Sequence, residues 1–204
     1  MKRLFSLILL LLSAYLSGFG QALPPIIEAF EESYKAEAGE RYDEAIAALT
    51  PFSQVSNYEV SLRLGWLHYL AGDLLSSRDL YAQAMKIMPY AIEPKLGYVL
   101  PLAALGHWDE VVSTYEEILR IDPKNTLVHY RLGAIYYERQ QFEEAFEHTE
   151  KVINLYPFDY DTVVLFAWIQ LRMQRLEKAR TLFQKALMIQ PASESAREGL
   201  RLLE

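Results

Sequence analysis

A chain of 204 residues, 51% of them apolar, has enough material to bury a core, which excludes a disordered polypeptide. Its 20 basic residues are outnumbered by 27 acidic ones for a net charge of −7, a balance that disfavours nucleic acid and anionic lipid as partners. With no cysteine, the chain can have no disulfide, thiolate metal site, cysteine nucleophile or lipoprotein anchor.

The first element is residues 1–22. Lys2 and Arg3 lead into an apolar run from Leu4 to Leu16, and small residues follow at Gly18, Gly20 and Ala22. That is the order of a secretory signal peptide, with cleavage after Gly20 or Ala22. It implies an exported chain, periplasmic or at the cell surface or secreted, with no membrane attachment after cleavage. An uncleaved anchor is the alternative, because no charge intervenes between Leu4 and Ile27.

Beyond residue 58 the chain repeats itself every 34 residues. Prolines stand at Pro89, Pro123, Pro157 and Pro191, and the same period carries Tyr81, Tyr115, Thr149 and Phe183, and Leu64, Tyr98, Leu132 and Phe166. The units are 58–91, 92–125, 126–159 and 160–191, with a tail at 192–204. Within 126–159, Leu132, Ile135 and Tyr136 mark one helical stripe. Phe142, Ala145, Phe146 and Val152 mark a second, and the polar break Glu138 to Gln141 separates them. Each unit is therefore two helices joined by a tight turn, and its proline stops the second helix for want of an N–H. Neither helix can bury its stripe alone, so neighbouring pairs must stack.

These residues resemble the tetratricopeptide repeat family. Leu64-Gly65, Ser77, Tyr81, Ala84 and Pro89 fill its pattern in the second unit; Leu132-Gly133, Tyr136, Ala145 and Pro157 fill it in the fourth; Ala167, Ala179, Phe183, Ala186 and Pro191 fill it in the fifth. The third matches through Gly106, Trp108, Tyr115 and Pro123. Arg41 to Ile46 looks like the entry to a second helix, so residues 23–57 form a divergent first repeat, two residues short, with Gly39 one place early and Pro51 set to truncate its second helix. The tail, with Ala196, Leu200 and Leu203 at helical spacing, has the look of a capping helix. The resemblance implies an all-α, right-handed TPR-like α-solenoid of about five helix-turn-helix repeats plus that cap.

Chemistry is not expected. His68, His107, His129 and His148 form no metal-binding pair with a carboxylate, and His68 and His129 fall where helix packs on helix. Glu31-Glu32, Glu116-Glu117 and Glu143-Glu144 diverge by about 100° on a helix, unlike paired acid/base groups in one cleft. No phosphate loop or nucleophile elbow occurs. The expectation is no catalytic residue, no metal and no cofactor, and hence not an enzyme.

In the family the first helix of each repeat lines a concave surface. Carried over, those positions give a candidate peptide-binding groove of Leu62, Arg63, Trp66, Tyr69, Gly97, Leu100, Ala103, Ala104, Tyr130, Arg131, Ala134, Tyr137 and Trp168. Gly97, Ala103 and Ala104 are small and make a low floor between aromatic walls. Pro101 should kink the helix beneath it. Arg63 and Arg131, at one repeat position, suit a carboxylate beside an apolar anchor, unless local glutamates such as Glu59 already pair with them. The reading is a non-enzymatic adaptor of the cell envelope, monomeric or weakly homo-oligomeric, that binds a peptide or helix of a protein partner. One alternative is a self-associating structural subunit of an envelope machine. A weaker one is a carrier of an apolar small molecule.

Overall fold

The computed structural model describes residues 24–54 and 57–204, so the candidate signal peptide at 1–22 lies outside the described residues. The described residues hold eleven α-helices and no strand. They fall into two compact units, divided between Ile87 and Met88.

The first unit contains α1 (Pro25–Ala38), α2 (Tyr42–Leu49), α3 (Tyr58–Leu70) and α4 (Leu74–Ile87). Ala29, Ala36, Ala45, Leu49, Val60, Leu64 and Leu67 form its core. Pro51 acts as expected: α2 has 8 residues against 14 in α4, and it gives way to a 3-10 turn over Thr50–Phe52.

The second unit contains α5 (Glu93–Ala104), α6 (Trp108–Ile121), α7 (Thr126–Glu138), α8 (Phe142–Leu155), α9 (Tyr160–Arg172), α10 (Leu176–Ile189) and α11 (Glu194–Arg201). Its core is two clusters. One gathers Val99, Leu102, Val111, Tyr115, Ile118 and Leu132. The other gathers Val163, Phe166, Ala167, Phe183, Ala186 and Ala196.

Two columns of residues punctuate the helices. Asn57, Asn125, Asp159 and Ser193 each accept a hydrogen bond from an N–H of the helix they open, at 2.9–3.1 Å, satisfying one donor of the first turn. Ala91 occupies that place before α5, which starts without a side-chain cap and with Pro94 in its first turn. Inside each pair the turn needs a left-handed residue. Gly72 and Gly106 supply it at φ near +80°, while Gln140 and Gln174 bear it at about +60°. In the first pair the early Gly39 has φ −98° and Glu40 takes the left-handed place at +57°.

Paired helices meet along a seam of small residues: Gly65 against Ser77, Gly133 against Ala145, Ala167 against Ala179. The buried Ser77 hydroxyl donates to the Gly65 carbonyl at 2.7 Å. A Cβ on Gly65 would stand 3.1 Å from the Tyr81 ring, and one on Gly133 would run into the Thr149 hydroxyl, itself bound to the Ala145 carbonyl at 2.7 Å. Gly65→Leu and Gly133→Leu should each overpack their seam and cost about 1–3 kcal/mol in denaturant unfolding. In the third pair the seam positions hold Val99 and Val111, and α5 and α6 pack less closely than the other full-length pairs.

Candidate functional site

The consequence of that valine seam is an open-sided cavity of about 660 Å³ lined by α5, α6 and α7. Val99, Leu100 and Ala103 line it from α5, Trp108, Val111 and Tyr115 from α6, and Arg131, Ala134, Ile135, Glu138 and Arg139 from α7. Small residues at 103 and 134 leave room where α5 and α7 face each other, and β-branched residues at 99 and 111 hold the α5–α6 pair open. Its size falls in the range of sites that hold a small molecule or a few side chains.

The walls are apolar and the polar groups few. Tyr115 is buried, and its hydroxyl makes no hydrogen bond among the described residues; burial raises its pKa, and the nearby Arg131 cation offsets part of that rise. Arg139 pairs with Asp109 at 2.8 Å. Arg131 is exposed and has no ion pair among the described residues, only the Tyr130 ring 6.0 Å from its guanidinium carbon. The cavity thus combines apolar walls, an unbonded phenol and one uncommitted cation.

Of the groove positions expected from sequence, Leu100, Ala103, Arg131 and Ala134 converge on this cavity. Gly97 is half-buried on α5, and Ala104 is exposed outside the cavity lining. Tyr137 packs on Phe142, ring centroids 5.8 Å apart. Trp168 meets Phe183 edge to face at 5.1 Å and donates its N–H to the Ser195 hydroxyl at 2.8 Å, so its polar edge is committed to the segment that carries α11. Pro101 is buried within a helix that runs continuously from Glu93 to Ala104.

Leu62, Arg63, Trp66 and Tyr69 belong to the first unit. There Arg63 is 7% exposed and donates to Glu37 of α1 at 2.5 Å, and the Trp66 indole N–H donates to the other oxygen of the same carboxylate at 2.6 Å. The Arg63 guanidinium lies 3.9 Å from the Tyr34 ring centroid, and the Trp66 and Tyr69 rings are 5.9 Å apart. Leu62 is half-buried on the same helix. The carboxylate that Arg63 meets is thus internal, and it comes from Glu37, not Glu59. Equal repeat position did not give Arg63 and Arg131 equal roles.

A histidine pair unseen in the sequence sits between α7 and α8. His129 Nδ1 and His148 Nδ1 are 2.9 Å apart, and His129 Nε2 lies 3.1 Å from the Pro123 carbonyl. That carbonyl requires a proton on Nε2, so His129 accepts at Nδ1 and His148 donates. Burial lowers both pKa values, and the facing His129 and Lys151 help to push His148 down to about 4. Unfolded histidine titrates near 6.5, so the unfolded chain binds protons first and stability falls as pH drops from about 6.5 towards 4. With His148 partly screened by solvent, wild type should lose about 2 kcal/mol more than His148→Asn between pH 7.5 and 4.5. Melting curves of the two proteins at both pH values measure it. Among the described residues, no group of three or more His, Asp or Glu is placed to hold a metal ion.

Models of the tetratricopeptide repeat match residues 30–92, 126–159 and 160–193, together well over half of the chain, and α5 and α6 lie between the matched stretches. The fold is similar to a crystal structure of MamA, at 16% identity over 82% of this chain and 92% of that one, with a TM-score of 0.71. It is also similar to residues 41 to the end of MamA from Desulfovibrio magneticus RS-1, at 15% identity over 85% and 99%, TM-score 0.72. A tetratricopeptide repeat protein from Parabacteroides merdae matches at 17% identity over 88% and 72%, TM-score 0.77. At such identities the likeness is one of fold.

Proposed function

Since the chain belongs to the tetratricopeptide repeat family, whose stacked helix pairs serve as an interaction scaffold, we propose that it is a non-enzymatic adaptor that holds another polypeptide in the α5–α6–α7 cavity. The observation that carries this reading is Arg131, a cation without an ion pair among the described residues, beside an apolar cavity with an unbonded phenol at Tyr115. A bulky apolar side chain of the partner fills the cavity, and a carboxylate next to it, acidic residue or chain terminus, meets Arg131. A guanidinium matches a carboxylate in both charge and fork geometry.

The test uses short peptides ending in Leu or Phe, with a free or an amidated C-terminus, titrated against the protein in a calorimeter. The free acids should bind at least about tenfold more tightly than the amides, roughly 1.4 kcal/mol. Arg131→Gln should erase that difference, and Ala103→Trp should remove binding of both. Binding that survives Ala103→Trp would move the site elsewhere. The working place of the adaptor is the cell envelope or beyond, a proposal resting on Lys2, Arg3 and the apolar run that follows. Sequencing the N-terminus of the purified protein tests it, with Gln21 or Leu23 as the expected first residue.

A further inference from the structure

The last residue of α8 and the loop to α9 present Leu155, Tyr156 and Phe158 at 60%, 54% and 64% exposure around Pro157. The fold does not require apolar residues there: the places of Tyr156 and Phe158 are filled by Asp122 and Lys124 one repeat earlier and by Gln190 and Ala192 one repeat later. Met88 and Tyr90 share them two repeats earlier. Large exposed side chains clustered in this way usually mark a contact surface.

The knuckle is also stiff. Tyr156 N–H donates to the Val152 carbonyl at 2.9 Å and Asp159 N–H to the Tyr156 carbonyl at 3.2 Å. Asp159 then accepts from the Thr162 N–H at 2.9 Å and from its hydroxyl at 2.6 Å. A surface held in one shape loses little entropy on docking.

Charge and position match the knuckle to the cavity. Lys151 precedes it and Asp161 follows it; on α7, Arg131 and Glu138 stand two turns apart in the cavity wall. None of these four has an ion pair among the described residues. The cavity is built from the end of α5, the start of α6 and the end of α7, and so lies beside the turns inside helix pairs. The knuckle is at the opposite ends of the helices, in a turn between pairs.

We propose that chains of this protein associate head to tail, the Leu155–Phe158 knuckle of one copy entering the α5–α6–α7 cavity of the next, with Asp161 against Arg131 and Lys151 against Glu138. This rests on the reading of the cavity as a side-chain site and names its occupant as a second copy. Because donor and acceptor surfaces differ, the contact is heterologous and does not close on two copies.

Sedimentation velocity of the purified chain should show a mean mass that rises with concentration past that of a dimer. Phe158→Ser removes the knuckle and keeps the cavity; Ala103→Trp fills the cavity and keeps the knuckle. Each variant alone should stay monomeric, while their equimolar mixture should give a one-to-one dimer and nothing larger. Should Ala103→Trp fail to fold, Arg131→Glu blocks the same face from an exposed position, and adding Asp161→Arg should restore association. A wild type monomeric at the highest attainable concentration, or a mixture that yields no dimer, overturns the proposal. A monomeric wild type that still binds the free-acid peptides overturns it while leaving the cavity reading intact; a monomeric wild type that binds no peptide removes both.

Discussion

Phe183→Ala should lower the unfolding free energy by about 4 kcal/mol, the largest effect expected of any single substitution in this chain. The Phe183 ring is wholly buried, meets Trp168 of α9 edge to face at 5.1 Å, and occupies the space where Gly199 of α11 has no room for a Cβ. It therefore holds three helices at once. Its removal forfeits the aromatic pair, leaves a cavity the size of a ring and frees the contact of α10 with α11 at Gly199. In an array whose units are stabilised by neighbours, that loss falls on the end of the chain first. Urea unfolding should show the change as an earlier transition with a smaller slope, as α11 separates from the rest. A loss under about 1 kcal/mol would mean that the last helices repack around the void.

Glu37→Ala should be nearly as damaging, at about 3 kcal/mol or more. Burial alone would raise the Glu37 pKa, but the hydrogen bonds from Trp66 and then Arg63 outweigh it and hold the carboxyl below its usual value. The guanidinium of Arg63 is buried, and its Nε and Nη2 have no hydrogen-bond partner among the described residues. Without Glu37 its charge would be buried with the Tyr34 ring face as compensation and no anion. Breaking a buried pair by removing one member costs more than replacing both with apolar residues. Glu37→Leu combined with Arg63→Met should therefore recover most of what Glu37→Ala loses, and a double variant as weak as the single one would refute the account. The depressed carboxyl also sets a sign. Its contribution is complete above the pKa of an unfolded glutamate and fades as pH falls through the lower folded value.

The fold was legible because the period of 34 runs through several independent columns. The truncated second helix of the first repeat was legible from Pro51 alone. The cap column at 57, 125, 159 and 193 was equally open to reading, and its gap at Ala91 already marked α5 as different. The cavity was legible in part. Leu100, Ala103, Arg131 and Ala134 follow from the rule that first helices line the groove. Trp108, Tyr115, Val99 and Val111 escaped it because they belong to a second helix or to the seam inside a pair. Their signal was a contrast between repeats: valines in the third pair where the others place glycine, alanine or serine. What no period could reveal is contact between residues that share no repeat position, such as Glu37 with Arg63 and Trp66, or His129 with His148.

The start of α5 has a consequence in time as well as in energy. Its first turn has no side-chain cap, and Pro101 has no N–H to give to the Gly97 carbonyl. α5 thus lacks bonds at its start and at Pro101 that would resist local opening, and it forms one wall of the cavity. Its amides should exchange with deuterium well before those of α7 and α9, whose first turns are capped by Asn125 and Asp159. A ligand that enters the cavity binds only the closed helix, so occupancy should slow exchange across α5 in proportion to the ligand's saturation. The wall that admits the ligand then also reports its arrival.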